Sequence, residues 1–568
     1  MIRRSTVVVL AVGCGPVTIP DADYLGEVGR QARVETTLDE GGVITCADPS
    51  GRDRAPFDVS REAMPSSRSV SVWGGGVAAG DIDGDGDADV VATTEYGLGW
   101  WPGTQQGPRH LNFGLSEFDF EYETSVTVVD YDGDGWLDLY VGTFNGHPAS
   151  PEYQGGAHLL HNRGDGTLED VTAAAGHVDA CGRHHRTGEY ACYRVSAASF
   201  ADVDHDGDLD LYVVTYGDVV DVPGMTPAAL PPGDPDFLYL NNGDGTFTDV
   251  SEAWLPAEMQ DGYGFAGGFF DLDDDGWQDV YVVNDMGPQF PNAILWNHEG
   301  SLEWEPASST GLSVSITGMG LGMGDLNGDG WPDLAMPEWG KNQLLMSHAD
   351  RRLWVNDNVN LGFENELHRG QHVGWGTDLA DLDNDGDLDG ISNYGWLELD
   401  NTNWSSARRQ PSGVYLNEGT PTEPRFRDVA RGWGLADRGS GRGILLADLD
   451  RDGWIDVVNR NVDGAARVAH ARCGTAGWLE VELEDHTTAN TRGIGARIRV
   501  MTEEHTLVRW ITAGGTSFGV GLPPEVHFGL GPVDEVTVEV RWTDGSVDTF
   551  EDVPSRQRVR LVREVVEP

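Results

Sequence analysis

Cations are scarce in this sequence. Lysine and arginine together number 37 against 94 aspartates and glutamates, a formal charge of −57 over 568 residues. A chain so poor in positive charge has no means of neutralising a phosphate backbone, which excludes nucleic acid as a partner. Long apolar runs are missing as well. The run from Val7 to Val12 falls far short of the about 20 residues that cross a bilayer. Apolar residues at helical spacing are absent over any adequate window, and cysteine is limited to five residues. What is plentiful is glycine, with 77 residues, and tryptophan, with 19. Together they imply many tight turns around a packed core and exclude a disordered chain.

The first residues read as an export signal. Arg3 and Arg4 precede the apolar run, and Gly13 and Cys14 follow it. Ala11-Val12-Gly13-Cys14 resembles a bacterial lipobox, with Ala11 where leucine is commonest, so Cys14 is expected to be acylated after cleavage of residues 1–14. The expected location is the outer membrane or cell surface as a lipoprotein, or else the periplasm or medium as a secreted chain. A lipid at Cys14 is the only membrane contact expected. Residues 15–50 read as an N-terminal linker. The other cysteines, Cys46, Cys181, Cys192 and Cys473, are even in number, as disulfides in an oxidising compartment require. Cys181 and Cys192 close a short loop, which leaves Cys46 for Cys473. The competing reading takes Cys181, His184, His185 and Cys192 as a zinc site.

Repeats dominate the middle of the chain. DIDGDGDAD begins at Asp81 and recurs as DYDGDGWLD from Asp130, DVDHDGDLD from Asp202, DLDDDGWQD from Asp271, DLNGDGWPD from Asp325, DLDNDGDLD from Asp381 and DLDRDGWID from Asp448. The spacing averages about 60 residues, a period that indicates propellers, solenoids or arrays. Before each copy stands a segment such as SVTVV or GRGILLA, and after it one such as LYVGTF or VYVVND, rich in β-branched and aromatic residues. Hairpin phrases follow, among them HNRGDGTLEDV from His161 and NNGDGTFTDV from Asn241. Four short strands per unit and seven units predict an all-β fold, a closed seven-bladed β-propeller over residues 51–470.

The nonapeptide has the chemistry of an oxygen-only cation loop. Carboxylates at positions 1, 3 and 5 converge, glycine at position 6 allows the sharp turn, position 7 offers a carbonyl and position 9 returns a carboxylate. The side-chain ligands are then Asp81, Asp83, Asp85 and Asp89 in the first loop and Asp130, Asp132, Asp134 and Asp138 in the second. The third supplies Asp202, Asp204, Asp206 and Asp210, and the fourth Asp271, Asp273, Asp275 and Asp279. Asp325, Asn327, Asp329 and Asp333 form the fifth set, Asp381, Asp383, Asp385 and Asp389 the sixth, and Asp448, Asp450, Asp452 and Asp456 the seventh. The carbonyls belong to Asp87, Trp136, Asp208, Trp277, Trp331, Asp387 and Trp454. Hard oxygens in this number suit Ca²⁺ better than Mg²⁺, which keeps its waters, so up to seven calcium ions are expected. An EF-hand is excluded, because position 12 holds Ala92, Val141, Val213, Val282, Met336, Ser392 or Asn459 in place of glutamate. Every side-chain ligand position is aspartate except Asn327, whereas a merely solvated acidic hairpin would mix in glutamate, serine and lysine.

Over roughly Phe57 to His470, the repeated D-x-D-x-D-G-x-x-D with N-x-G-D-G-T-F-x-D-V resembles the FG-GAP or VCBS repeats of integrin α-subunit propellers and bacterial surface proteins. That resemblance implies calcium on one face of the propeller. Position 4, often glycine in the family, is His205, Asp274, Asn384 and Arg451 in four copies. Residues 471–568 change character. RGIGARIRV, VHFGLG and VEVRWTDGSV resemble the ASPIC/UnbV domain, and this order of parts resembles the cartilage acidic protein family. A secreted or surface calcium-binding protein is what the resemblance implies. AGGTSFGVG, Ala513 to Gly521, departs from the asparagine- and glutamine-bearing hairpin usual there.

No catalytic constellation is found. GMGLGMG, Gly318 to Gly324, runs into an acidic loop instead of a helix, and with GGG at Gly74 to Gly76 it reads as close strand packing. The tryptophans at position 7 read as packing between units. Three functions compete. The favoured one is a non-enzymatic, calcium-binding adhesion scaffold for a protein or glycan. The second is a propeller enzyme acting on polysaccharide or through a quinone cofactor in the central channel, and the third is an envelope assembly factor acting through the C-terminal domain.

Overall fold

The computed structural model describes residues 29–36, 57–59, 74–94, 97–103, 123–144, 156–183, 188, 190–217, 232–287, 289–305, 309–364, 372–396, 410–462, 466–471 and 474–566. Cys14, Cys46, His184, His185 and Cys473 lie outside them.

Each acidic nonapeptide joins the first two strands of an antiparallel sheet. In the second sheet these are Glu123–Val129 and Asp138–Thr143, followed by Gly156–Asn162 and Leu168–Asp170. Position 9 opens the second strand in register with the last residue of the first: Gly80 with Asp89, Val129 with Asp138, Ala201 with Asp210. Those two strands are buried on both faces, which is why they read as continuous apolar runs and not as alternation. Seven such sheets are present among the described residues. In the seventh, the N-terminal strand Phe57–Val59 supplies the outer position beside Arg467–Ala471.

Consecutive sheets share apolar clusters. Val91 of the first meets Val126 and Leu139 of the second. Tyr212 of the third meets Phe269 of the fourth, and Ile391 of the sixth meets Ile444 of the seventh. Leu445 and Val458 of the seventh pack on Val77 and Val90 of the first. Gly320 sits so close to Trp375 that a Cβ there would lie 2.2 Å from its carbonyl oxygen, so GMGLGMG is strand packing.

The C-terminal region forms two further four-stranded sheets. One runs Gly29–Thr36, Gln557–Val566, Gly477–Asp485, Glu525–Gly531, and the other Thr506–Trp510, Arg497–Met501, Glu535–Arg541, Val547–Pro554. Leu479, Val481 and Leu561 of the first share a core with Ile498, Val538 and Val540 of the second. The stretch expected to be a linker is corrected here in part. Gly29–Thr36 pairs along its whole length with the final strand, so it belongs to the C-terminal fold. Local composition hides this, because the pairing partner lies at the other end of the chain.

Ala513 to Gly521 leaves this domain and enters the space between the inner strands of the seven sheets. Ala513 pairs with Phe200 and Gly514 with Ser199. Gly267 donates its amide to Gly515, Ser517 donates to Leu321, and the Ser517 hydroxyl donates to the Ile444 carbonyl. Phe518 stands edge-on to Phe265 and Trp375, the carbonyl of Gly519 accepts the amides of Val77 and Val126, and Val520 pairs with Val77. One short stretch thus reaches the inner strand of every sheet. Small residues are required for this. Gly514 has φ +76°, and a Cβ on it would lie 2.1 Å from the Ala198 carbonyl oxygen. Gly514→Val is therefore expected to cost about 2 to 4 kcal/mol from overpacking and backbone strain, read by chemical denaturation; an unchanged midpoint would show that the hairpin is not seated there.

Candidate metal centres

The seven loops share one hydrogen-bonded frame. The position-9 aspartate is buried in each, at 1% exposure or less. Its Oδ2 accepts the position-2 amide: Ile82, Tyr131, Val203, Leu272, Leu326, Leu382 and Leu449. Its Oδ1 accepts an amide from or just beyond the third strand: Gly103, Asn162, Asn241, Asn297, Ser347, Asn417 and Ala471. At position 1, Oδ2 accepts the amide of the position-6 glycine in all seven, at 2.7 to 3.1 Å. This frame holds the carboxylates of positions 1, 3 and 5 together. In the first loop, oxygens of Asp81, Asp83 and Asp85 lie within 4.8 Å of one another, and the same holds for Asp202, Asp204 and Asp206.

The other oxygens decide what the frame is for. Oδ1 of Asp81, Asp130, Asp202 and Asp271, at position 1, is buried without a hydrogen bond. So is Oδ1 of Asp204, Asp273, Asp383 and Asp450, at position 3. Buried acceptors are rarely left unmade, and here they recur at equivalent positions in six loops. Burial raises the carboxyl pKa values, with neighbouring carboxylates adding to it: Asp89 and Asp271 rise to about 7, and Asp138, Asp202 and Asp452 to about 8. A dication would supply both the missing partner and the missing charge. The donor set of carboxylate oxygens fits a hard cation.

The fifth loop is different. Asn327 accepts the Asp329 amide through Oδ1 and donates through Nδ2 to the Ser347 carbonyl at 3.0 Å. Both oxygens of Asp325 accept amides, from Gly328 and Gly330, as those of Asp381 and Asp448 also do in the sixth and seventh loops, so position 3 is what sets the fifth loop apart. Ser347 donates its hydroxyl to Asp329 and to Asp333. In this loop Asp325, Asn327, Asp329 and Asp333 keep no buried side-chain oxygen without a partner.

Several residues with structural roles at these centres were not visible as such in the sequence. Asn162 and Asn241 read there only as turn formers, and Asn297 is their equivalent in the fourth sheet. Each also donates Nδ2 to the position-8 carbonyl of its own loop and to the position-2 carbonyl of the loop in the preceding sheet, as Asn241 does to Leu209 and Tyr131. Position 7 behaves as expected, since Trp277 stacks on His205 of the preceding loop with ring centroids 3.6 Å apart. Position 4 adopts positive φ in all seven loops, at +75°, +71°, +61°, +60°, +70°, +57° and +58°. Its departures from glycine do more than form the turn. Asp274 pairs with Arg497 and Arg541, and Arg451 with Glu480 and Glu525, all from the C-terminal domain. The Asn384 carbonyl accepts the Gly531 amide.

That domain sits on the loop face. Arg541 donates to Asp271 at 2.6 Å, and Thr491 to Asp130. Position-6 carbonyls accept from Arg558 at Gly86, Arg492 at Gly135, Asn490 at Gly207 and Arg497 at Gly330. Cys181 and Cys192 face each other across a two-stranded ribbon and are joined as a disulfide, which supports that reading over a zinc site.

Two outcomes follow. Asn241→Ala leaves two buried carbonyls unpaired and is expected to lower stability by roughly 2 to 3 kcal/mol, measured by urea denaturation; a loss under half of the lower figure would contradict the cross-link. The raised carboxyl pKa values also set a pH dependence for the protein in chelator. Protonation favours this folded state, so stability is highest below the unfolded aspartate value of about 3.9 and falls as pH rises through about 8. Thermal melts in chelator should therefore show a lower Tm at pH 8 than at pH 5.5, and the reverse order would contradict the burial argument.

Similarity to known proteins agrees with this layout. The FG-GAP-like repeat family matches residues 81–141, 130–213, 228–282 and 271–336, and the ASPIC and UnbV family matches residues 486–568. Cartilage acidic protein 1 of Mus musculus is 26% identical over 500 residues, covering 83% of this chain and 71% of its own length. The Homo sapiens protein is 25% identical over 492 residues, covering 83% and 69%. An Agrocybe aegerita lectin, from a structure of specific recognition of non-reducing terminal N-acetylglucosamine, aligns with 64% of this chain and 84% of its own at 16% identity. The TM-score is 0.38. The chain is a protein of FG-GAP-like repeats with a C-terminal ASPIC and UnbV domain, homologous to cartilage acidic protein 1.

Proposed function

We propose that the seven sheets close into a seven-bladed β-propeller whose acidic loops hold calcium, and that the whole acts as an exported, non-enzymatic scaffold binding a protein or glycan. The observation that carries the cation reading is the recurrence of buried, unpartnered carboxylate oxygens at positions 1 and 3. When bound, calcium supplies positive charge to oxygens that otherwise repel one another. Asp81, Asp83 and Asp85, with their equivalents in the second, third, fourth, sixth and seventh loops, would hold it. The fifth loop, with its oxygens already satisfied by Asn327 and Ser347, would stay without it. Packing of the seventh sheet on the first supports closure.

Binding is assigned to the face away from the C-terminal domain. The second strands of the sheets end there, and just beyond two of them stand Trp339 and Trp396, which are 52% and 37% exposed with their rings 5.4 Å apart. Exposed indoles favour a glycan, whose sugar rings stack on aromatic faces. The hairpin from Ala513 to Gly521 fills the centre where the enzyme reading placed its active site, which supports a scaffold. The Cys181–Cys192 disulfide supports an oxidising, exported location, and among the described residues no helix is long and apolar enough to cross a membrane.

Calcium at 100 times its dissociation constant is expected to stabilise each filled loop by about 2.7 kcal/mol, so Tm should rise steeply from chelator to millimolar calcium. Equal melting temperatures in the two would refute calcium binding. On a glycan array, Trp339→Ala with Trp396→Ala should abolish binding while leaving the calcium shift intact; undiminished binding by the double variant would move the ligand surface elsewhere.

A further inference from the structure

A cleft of about 360 Å³ opens between the third and fourth sheets, and none of the residues lining it belongs to an acidic nonapeptide. That volume falls within the range of small-molecule sites. Asp261 and Gly262 enter it from the connection between the two sheets, Asn284 from the end of the second strand of the fourth sheet, and Trp304 from the end of its last strand. Its walls carry the carboxylates of Asp236, Glu258 and Asp261 and, among the described residues, no lysine, arginine or histidine.

One acceptor in this cleft is unmet. Asn284 is only 4% exposed, and its Oδ1 is buried without a hydrogen bond. The orientation of the amide is fixed, because Nδ2 donates to the Pro291 carbonyl at 3.0 Å. Oδ1 therefore faces Gly262, where an added Cβ would lie 2.6 Å from it and cover it. Neighbouring acceptors are engaged: Asn292 Oδ1 takes the Asn284 amide, and the two oxygens of Asp236 take the Tyr212 hydroxyl and the Thr215 amide. Buried acceptors are rarely left unmade, so an exception in the wall of a cleft points to a donor from outside the chain.

The surroundings define that donor. An ammonium group donates hydrogen bonds and accepts none, which matches a wall of carboxylates and one amide oxygen. Met259, Phe290 and Trp304 add apolar and aromatic surface, which takes an alkyl stem and attracts a cation to the ring faces. A metal dication, which needs about six to eight oxygens, would leave that surface unused. We infer that this cleft binds a primary ammonium group on an apolar stem, the chemistry shared by a protein lysine side chain and a free alkyl diamine. Such a site is separate from the acidic loops and does not depend on their metal state.

The test is isothermal titration of the full chain in millimolar calcium, which keeps the acidic loops from competing for the probe. Cadaverine and a lysine acetylated at Nα and amidated at its carboxyl are titrated separately, with pentanol as the uncharged control. At least one ammonium probe should bind at a single site, and pentanol should not. Equal binding of the lysine derivative places the source on a protein, whereas binding of cadaverine alone makes it a free amine. Gly262→Ala, which covers Asn284 Oδ1, should weaken binding by roughly tenfold. Glu258→Gln should weaken it as well, and because Glu258 is exposed that variant keeps the fold. An unchanged urea midpoint checks the same for Gly262→Ala. No saturable binding of either ammonium probe, equal binding of pentanol, or affinities unchanged in both variants would overturn the inference.

Discussion

Carboxylates crowded into a buried turn are the constraint on which the rest of the molecule depends. Each loop uses amide donors to hold the position-1 and position-9 aspartates, and in all but the fifth this points further oxygens at one another with no protein donor to meet them. Left alone, such a turn favours protonation or opening. With a dication it becomes a rigid corner between the first two strands, tied to the third through the other oxygen of position 9. The same corner then fixes where the next sheet lands, because Asn162, Asn241 and Asn297 each bond the loop of the preceding sheet as well as their own.

The C-terminal domain takes advantage of this rigid face. Its arginines meet loop carbonyls and carboxylates, and its hairpin reaches all seven inner strands. Part of the chain's acidity is thus matched from within, by Arg497, Arg541 and their neighbours, beyond the share of the −57 charge that bound cations would offset.

Much of this was legible in the sequence because the loop chemistry is local. Seven aspartate-rich nonapeptides at long, regular spacing announce both the sheets and the sites, and the buried apolar strands on either side announce all-β structure. What was not legible depends on residues far apart in the chain. Gly29–Thr36 has no feature that names its partner in the last strand. Ala513 to Gly521 reads as a glycine-rich hairpin that departs from its family's pattern, and only the seven converging strands reveal why it is made of small residues. Asn241 carries a turn signal strong enough to hide its second role as a cross-link. Position 4 reads as a turn residue that departs from glycine, whereas Asp274, Asn384 and Arg451 are contacts to a domain whose approach the sequence does not display. Asn327 was visible as an exception, but its consequence required Ser347, which no motif connects to it.

The central claim is that unpartnered oxygens at positions 1 and 3 mark cation sites, and that the fifth loop, where they are satisfied, is not one. The most direct measurement is anomalous diffraction from crystals grown with calcium and soaked with a lanthanide that replaces it. The account predicts anomalous peaks among the position-1, 3 and 5 carboxylates of the other six loops and none at Asp325, Asn327 and Asp329. A peak of equal height in the fifth loop, or none in the others, would contradict it.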